Sequence, residues 1–350
     1  MEKYIVAEER KLKDTPNSII EKGISNFGSF LESFNDINLL DVHKQSKYLP
    51  DFLNARRLTE WEAFELDFNK GTLVSAVYNN MHLNGMGILV YYDKEEDKIY
   101  SYRVMTNYRK AHIANNLIDS ESYIKTNNFE LRIINDFKNK KAKIKANMYN
   151  KKNGKFSMDL EIEQFAPSSI VSIPLGVNKP LYSEKAIFKA TGKLNFKNVE
   201  YDISDNASAI IDDHKGYYPY KAHYDWLTTM GMISHNGELK KFGFNLTKNQ
   251  SINENKYNEN NIWIDGKFYY LPPVTFKHLG DKWFIKDEYD NVNLEFTIKK
   301  TYKMITHALI IDIKYYLPFG YINGYVRNED GEKFVINNMI GIAEDKTTRL

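Results

Sequence analysis

Cysteine is absent from the 350 residues. No disulfide framework, thiolate nucleophile, iron–sulfur cluster or thiolate zinc site can therefore be built from this chain. A surplus of charge is missing too: 48 Lys and Arg stand against 46 Asp and Glu, a net of +2. That balance argues against a dedicated nucleic-acid binder. No apolar run approaches the ~18 residues of a spanning helix. The opening residues, Met1–Asp14, lack the apolar stretch of a signal peptide. These absences point to a soluble, cytoplasmic protein with no transmembrane segment, of roughly two domains by length. Arginine is scarce, 8 residues against 40 lysines, a codon bias that carries no functional meaning. His-Glu-x-x-His, Gly-x-Ser-x-Gly and phosphate-loop patterns do not occur, and the eight histidines show no tight ligand pairing, so neither a metal nor a cofactor is expected. Long helical patterns are missing after residue 50, and no βαβ alternation appears, which disfavours a doubly wound nucleotide fold.

What is abundant is aromatic: 25 Tyr, 20 Phe and 4 Trp make 14% of the chain. Such rings favour strands and line pockets. Residues 1–55 read as an N-terminal arm with one short helix, on the spacing of Ile19, Ile20, Ile24, Phe27, Phe30 and Leu31. From residue 56 the period changes to two. Phe156, Met158, Leu160 and Ile162 alternate with Ser157, Asp159, Glu161 and Glu163, as a half-buried antiparallel strand requires. Asn153-Gly154 joins that strand to Lys143–Met148, since the pair tolerates the positive φ of a tight hairpin. Asn236-Gly237, Asp265-Gly266 and Asp330-Gly331 punctuate three further hairpins. Leu294, Phe296 and Ile298 alternate again, with Ala308–Tyr316 as the expected partner, and Ala111–Leu117 reads as a short helix. The pattern predicts an all-β protein of two antiparallel units. A proline-rich stretch, Ala166–Pro180, is the candidate boundary, giving units over 56–180 and 181–350; Tyr182–Val199 can equally be read as the closing strands of the first unit.

The stretch Ile211–Trp226, followed by Gly243-Phe244-Asn245-Leu246, then Glu259–Gly266, Pro318–Gly324 and Gly341–Glu344, resembles the uncharacterised bacterial DUF2804 family. More distantly, Tyr182-Ser183, Gly192-Lys193-Leu194 and Asp213-His214 are similar to the carotenoid 1,2-hydratase and AttH-like proteins. That resemblance implies two lipocalin-like antiparallel β-barrels. Lys215-Gly216 stands where those proteins carry Glu-Trp, so the hydratase reaction is not implied with the fold.

The densest polar cluster is Asp212, Asp213, His214 and Lys215, with Tyr218, Tyr220, His223 and Trp226 close behind. On an extended strand, Asp213 and Lys215 share one face, and Asp212 and His214 the other. A carboxyl beside an imidazole in an apolar cavity suits proton transfer, because burial keeps the acid protonated near neutrality. Asp213 is the expected acid and His214 its orienting partner or base. Asn245 sits in an apolar strand, and its amide needs either a ligand or a neighbouring loop as partner. Glu259 and Asn260 precede a strand and can reach over a barrel mouth. Glu344 either faces the cavity or pairs with Lys346. The expected partner is a small apolar or amphipathic molecule held in a barrel lumen or between the barrels. Acid/base hydration, isomerisation or cyclisation is one reading; a non-catalytic carrier and a glycan-binding module are the others.

Overall fold

The computed structural model describes residues 2–44, 48, 50, 53–54, 56–204, 207–308 and 311–349. Among the described residues, strands that are antiparallel but for the short parallel pair Leu12–Lys13 and Gly28–Phe30 gather into two large sheets, of fifteen and nine strands. The first starts at the edge strand Lys98–Asn107 and runs back through Asn84–Asp93 and Gly71–Asn80 to Thr59–Phe68. It continues through Ser208–Gly216, Pro180–Phe196, Gly154–Gln164 and Lys141–Asn150 to Phe129–Asp136 and Ser120–Lys125. This sheet curls into a nearly closed barrel. The amides of Asn150 and Asn153 both donate to the Ser101 carbonyl, at 3.0 and 2.8 Å, and so bridge the seam.

The second sheet is a half-barrel with Lys221–His235, Lys333–Arg349, Ile311–Arg327 and Val292–Ala308 at its centre. The hairpins predicted at Asn153-Gly154, Asn236-Gly237, Asp265-Gly266 and Asp330-Gly331 are present. Asn236 and Gly237 have φ of 53° and 83°, and Asp265 and Gly266 of 48° and 83°, the left-handed pairs that two-residue hairpins need. Leu294 and Ile298 lie opposite Gly324 and Gly320, so their partners are in the strand Ile311–Arg327 but beyond Ala308–Tyr316; residues 309–310 of that expected strand lie outside the described residues.

The sheets divide between Gly216 and Lys221. Pro180–Phe196 and Ser208–Gly216, expected to open the second barrel, are inner strands of the first. Their residues pair directly: Lys185 with Asp212, and Asp212 with Ala63. The helix expected in the N-terminal arm is also absent. Lys22 and Gly23 take φ of 50° and 81°, folding Ile20–Glu21 against Ile24–Ser25 as a small hairpin, because two glycines within six residues disfavour helix. Glu8–Arg10 and Leu39–Asp41 are single 3-10 turns. The arm nonetheless packs, as expected: Ile19, Phe30, Phe34 and Leu39 cover one end of the first barrel against Tyr182 and Tyr217. Ala111–Leu117 holds no helix either, and its first two residues pair as a strand with Tyr123 and Ile124.

Each barrel has its own apolar filling, and a third core lies between them. Lys141–Asn150 alternates strictly between exposed and buried residues, because one face meets water. Ser208–Gly216 is buried at every position. Ala209 and Ile211 fill the first barrel, whereas Ile210 joins the inter-sheet core with Trp226, Met230 and Phe319. Each such side chain contributes about 1.5–3 kcal/mol when fully buried. The sheets pack closely at Gly243, where an added Cβ would lie 2.4 Å from Ile187 Cδ1.

Candidate functional site

The polar residues of the first sheet fall on two faces because strand neighbours point oppositely. On the face toward the second sheet, Asp212 lies between Ala63 and Lys185, and His214 between Trp61 and Ser183. Lys185 Nζ is 3.1 Å from Asp212 Oδ1 and 2.6 Å from His214 Nε2, and also bonds Glu259 and the Ser183 hydroxyl. Glu259 comes from the segment before the strand Asn261–Ile264. The four charged or titratable groups are all more than nine-tenths buried. Burial works against charge on both bases, yet Asp212 and Glu259 outweigh it and raise the proton affinity of Lys185 and His214. Burial likewise pushes Asp212 and Glu259 up, but Lys185 and His214 hold both carboxylates below their ordinary values.

Beside this network stands a further buried carboxyl. Glu65 is 2% exposed, and its Oε2 has no hydrogen-bond partner. Burial, reinforced by the Asp212 carboxylate, raises its pKa well above the usual carboxyl range. Burial also raises Glu344, against the pull of Lys346, while the Tyr315 hydroxyl donates to Glu344 at 2.5 Å. The walls are aromatic. The His214 ring stacks on Trp61 at 4.8 Å and 8°, and Trp61 in turn meets Tyr218 at 5.7 Å and Tyr78 at 5.9 Å. Trp226 Nε1 donates to Asn245 Oδ1 at 2.6 Å.

These residues line a cavity of about 60 Å³ between the sheets. Trp61, Tyr78, Tyr218 and Tyr224 also border an apolar cleft of about 260 Å³, whose far side is Met86, Met105 and Met304. Together the two spaces just reach the lower bound of ligand pockets, roughly 300 Å³. At their junction, Lys346 Nζ lies 5.1 Å from the Trp61 ring centroid and 5.5 Å from that of Tyr224. Burial lowers its pKa, against the attraction of Glu344.

The placement corrects several expectations. Asp213 does not meet His214: it faces the interior of the first barrel with Lys215, whose Nζ is 2.5 Å from Asp213 Oδ2. There Asp213 lies between Glu62 and Glu184 in one cross-strand row. Burial raises all three, Glu62 to about 8 and Glu184 to about 7. Tyr220 is 49% exposed and does not line the pocket. His223 sits on the opposite face of its strand from Trp226. Asn245 finds its partners within the fold, Trp226 and the Glu259 carbonyl, at 2.6 and 2.9 Å. Asn260 braces backbone, accepting from Thr247 N and donating to the Pro272 carbonyl. Glu344 lines the pocket, with Lys346 near it. Asp212, His214, Tyr218, Trp226, Glu259 and Glu344 are brought together. Sequence reasoning missed Lys185, Glu65, Trp61 and Lys346. A signal existed for Lys185 and Glu65: each is a charge inside a run of strand formers, in Tyr182–Phe188 and Trp61–Phe68.

Solved structures share this architecture. CghA, solved with Sch210972, aligns with a TM-score of 0.53 and 9% identity over 83% of this chain and 88% of that one. Kievitone hydratase from Nectria haematococca aligns at 0.50 and 10% identity, over 82% and 88%. An AttH-like protein from Nitrosomonas europaea aligns at 0.47 and 11%, over 86% and 96%. At such identities the likeness is one of fold, the two-barrel lipocalin-like arrangement. No curated protein matches the chain in sequence. The family described as Domain of unknown function (DUF2804) matches residues 9–350, and the protein belongs to it.

Proposed function

We propose that the protein binds a small amphipathic molecule between its two sheets and acts on it by proton transfer from its own side chains, as hydration, isomerisation or cyclisation. The observation that carries this reading is Glu65, a buried carboxyl with its Oε2 unpartnered and its proton affinity raised, one strand from the Asp212–Lys185–Glu259–His214 network. Two acids whose environments push them apart are the signature of acid/base division of labour. Glu65 gives its proton to an alkene carbon or carbonyl oxygen of the ligand. The positive charge that develops is faced by the rings of Trp61, Tyr218 and Trp226. Asp212, whose Oδ1 lies 3.1 Å from the Lys185 ammonium, takes the proton lost from an adjacent carbon or from an attacking water, with His214 beside it. Lys346 offers its ammonium to a carboxylate or enolate oxygen of the ligand, while the methionine cleft takes the apolar end. Two fold neighbours, kievitone hydratase and CghA solved with Sch210972, agree with this use of the fold.

The test is a lipid extract incubated with wild type and Glu65→Gln, followed by mass spectrometry of bound and free fractions. Both proteins should retain the same compound, and only wild type should convert it. Equal conversion by the variant overturns the role of Glu65. Retention without conversion by either leaves the carrier reading in its place. The glycan reading has less support, since Trp226 is 7% exposed rather than displayed as a platform.

A further inference from the structure

Behind the pocket, on the other face of the same two strands, lies a second cluster. Asp225 and Asp345 are directly opposed across Lys221–His235 and Lys333–Arg349, next to the pocket residues Trp226 and Glu344. Like charges directly opposite in a sheet repel, and a fold keeps such a pair where something positive bridges it. Two imidazoles stand at that pair. His223 Nε2 is 3.5 Å from Asp225 Oδ2, and His278 Nε2 is 3.2 Å from Asp225 Oδ1. One ligand atom from each of His223, Asp225 and Asp345 lies within 4.8 Å of the others.

Two independent features point to an ion rather than to a salt bridge. The Asp225 side chain is 10% exposed, and yet its Oδ1 makes no hydrogen bond, although His278 Nε2 is near. His223 is oriented by Thr347, whose hydroxyl is 3.0 Å from its Nδ1; that nitrogen is 3.8 Å from Asp345 Oδ1, and Nε2 is turned toward Asp225. Metal-bound imidazoles are held in that way by a partner on the second nitrogen. His278 is fixed by stacking on Trp283, at 3.9 Å and 7°.

We propose that His223, Asp225 and Asp345 form a divalent transition-metal site, with His278 orienting Asp225 from the outer shell. Imidazole and carboxylate donors of this kind suit zinc first, with manganese and cobalt behind it. Side-chain exposures of 50% at His223 and 29% at Asp345 leave solvent a way in. A bound ion would tie together the two strands that present Trp226 and Glu344 to the pocket. The proposal does not depend on the pocket being catalytic.

The test is calorimetric titration of zinc chloride into untagged, EDTA-stripped protein. Wild type should show one saturable site. Asp345→Asn and His223→Ala should abolish it or weaken it at least tenfold, and His278→Ala should weaken it about ten- to hundredfold. His223→Ala changes a half-exposed position, so circular dichroism should confirm an unchanged fold. Thermal melts separate the alternatives further. If the cluster is a metal site, Asp345→Asn stabilises the metal-free protein by removing a repulsion, and zinc raises the melting temperature of wild type alone. Lack of saturable binding, or isotherms equal in wild type and variants, overturns the proposal.

Discussion

Asp212 and Asp213 are consecutive in the chain and belong to different interiors. The first meets Lys185 at 3.1 Å between the sheets, and the second meets Lys215 at 2.5 Å inside the first barrel. Substituting the two therefore separates function from folding. Asp212→Asn should impair conversion of the pocket ligand with little change in the first barrel. Asp213→Asn should leave ligand retention unchanged and alter stability only, because it strands Lys215. Equilibrium unfolding and ligand retention, measured on both variants, check this; loss of retention in Asp213→Asn alone would reverse the assignment.

Lys185 holds two buried carboxylates apart from each other's charge. Lys185→Met removes the cation and leaves Asp212 and Glu259 uncompensated, a loss of about 3–5 kcal/mol by analogy with broken buried pairs. Urea unfolding at pH 7 measures it. A change below about 1 kcal/mol would mean that the pair is hydrated or protonated rather than ionic.

The row Glu62–Asp213–Glu184 makes stability depend on pH with a definite sign. In the unfolded chain a glutamate has a pKa near 4.5, whereas folding raises Glu62 to about 8 and Glu184 to about 7. The native state thus binds more protons than the unfolded state between these values, and stability falls as pH rises from about 4.5 to about 8. Above that window it levels off. Melting temperatures from pH 5 to 9 should decline and then flatten, and Glu62→Gln should reduce the slope. A melting temperature that rises through this range would contradict the buried, protonated row.

Lys346 predicts the sign of the ligand's polar end. Lys346→Met should weaken binding of the anionic probe 1-anilinonaphthalene-8-sulfonate about tenfold, the worth of one charged hydrogen bond, and leave an uncharged apolar probe unaffected. Fluorescence titration distinguishes the two. Equal weakening of both probes would assign Lys346 a packing role instead.

Much of the architecture was legible before any coordinates. The alternation of Phe156–Ile162 and the Asn-Gly and Asp-Gly pairs act through neighbours in sequence, so the antiparallel sheets and their hairpins follow from local chemistry. The arm shows the limit of that reasoning: its apolar spacing matched a helix, but Gly23 and Gly28 and the end of the barrel that it covers decided for short strands. The all-buried strand Ser208–Gly216 carries no alternation, because the first barrel and the second sheet bury its two faces separately. Its sequence says that Asp212 and Asp213 point apart, and does not say which interior each enters.

The chain by itself determined the class of fold, the turns and the neighbourhood of Asp212, His214 and Trp226, since these depend on residues a few positions apart. Only the tertiary structure decided that Asp213 leaves the site and that Lys185, Glu65, Trp61 and Lys346 enter it. Those four come from strands far apart in sequence, and what joins them is the packing of one curved sheet on another.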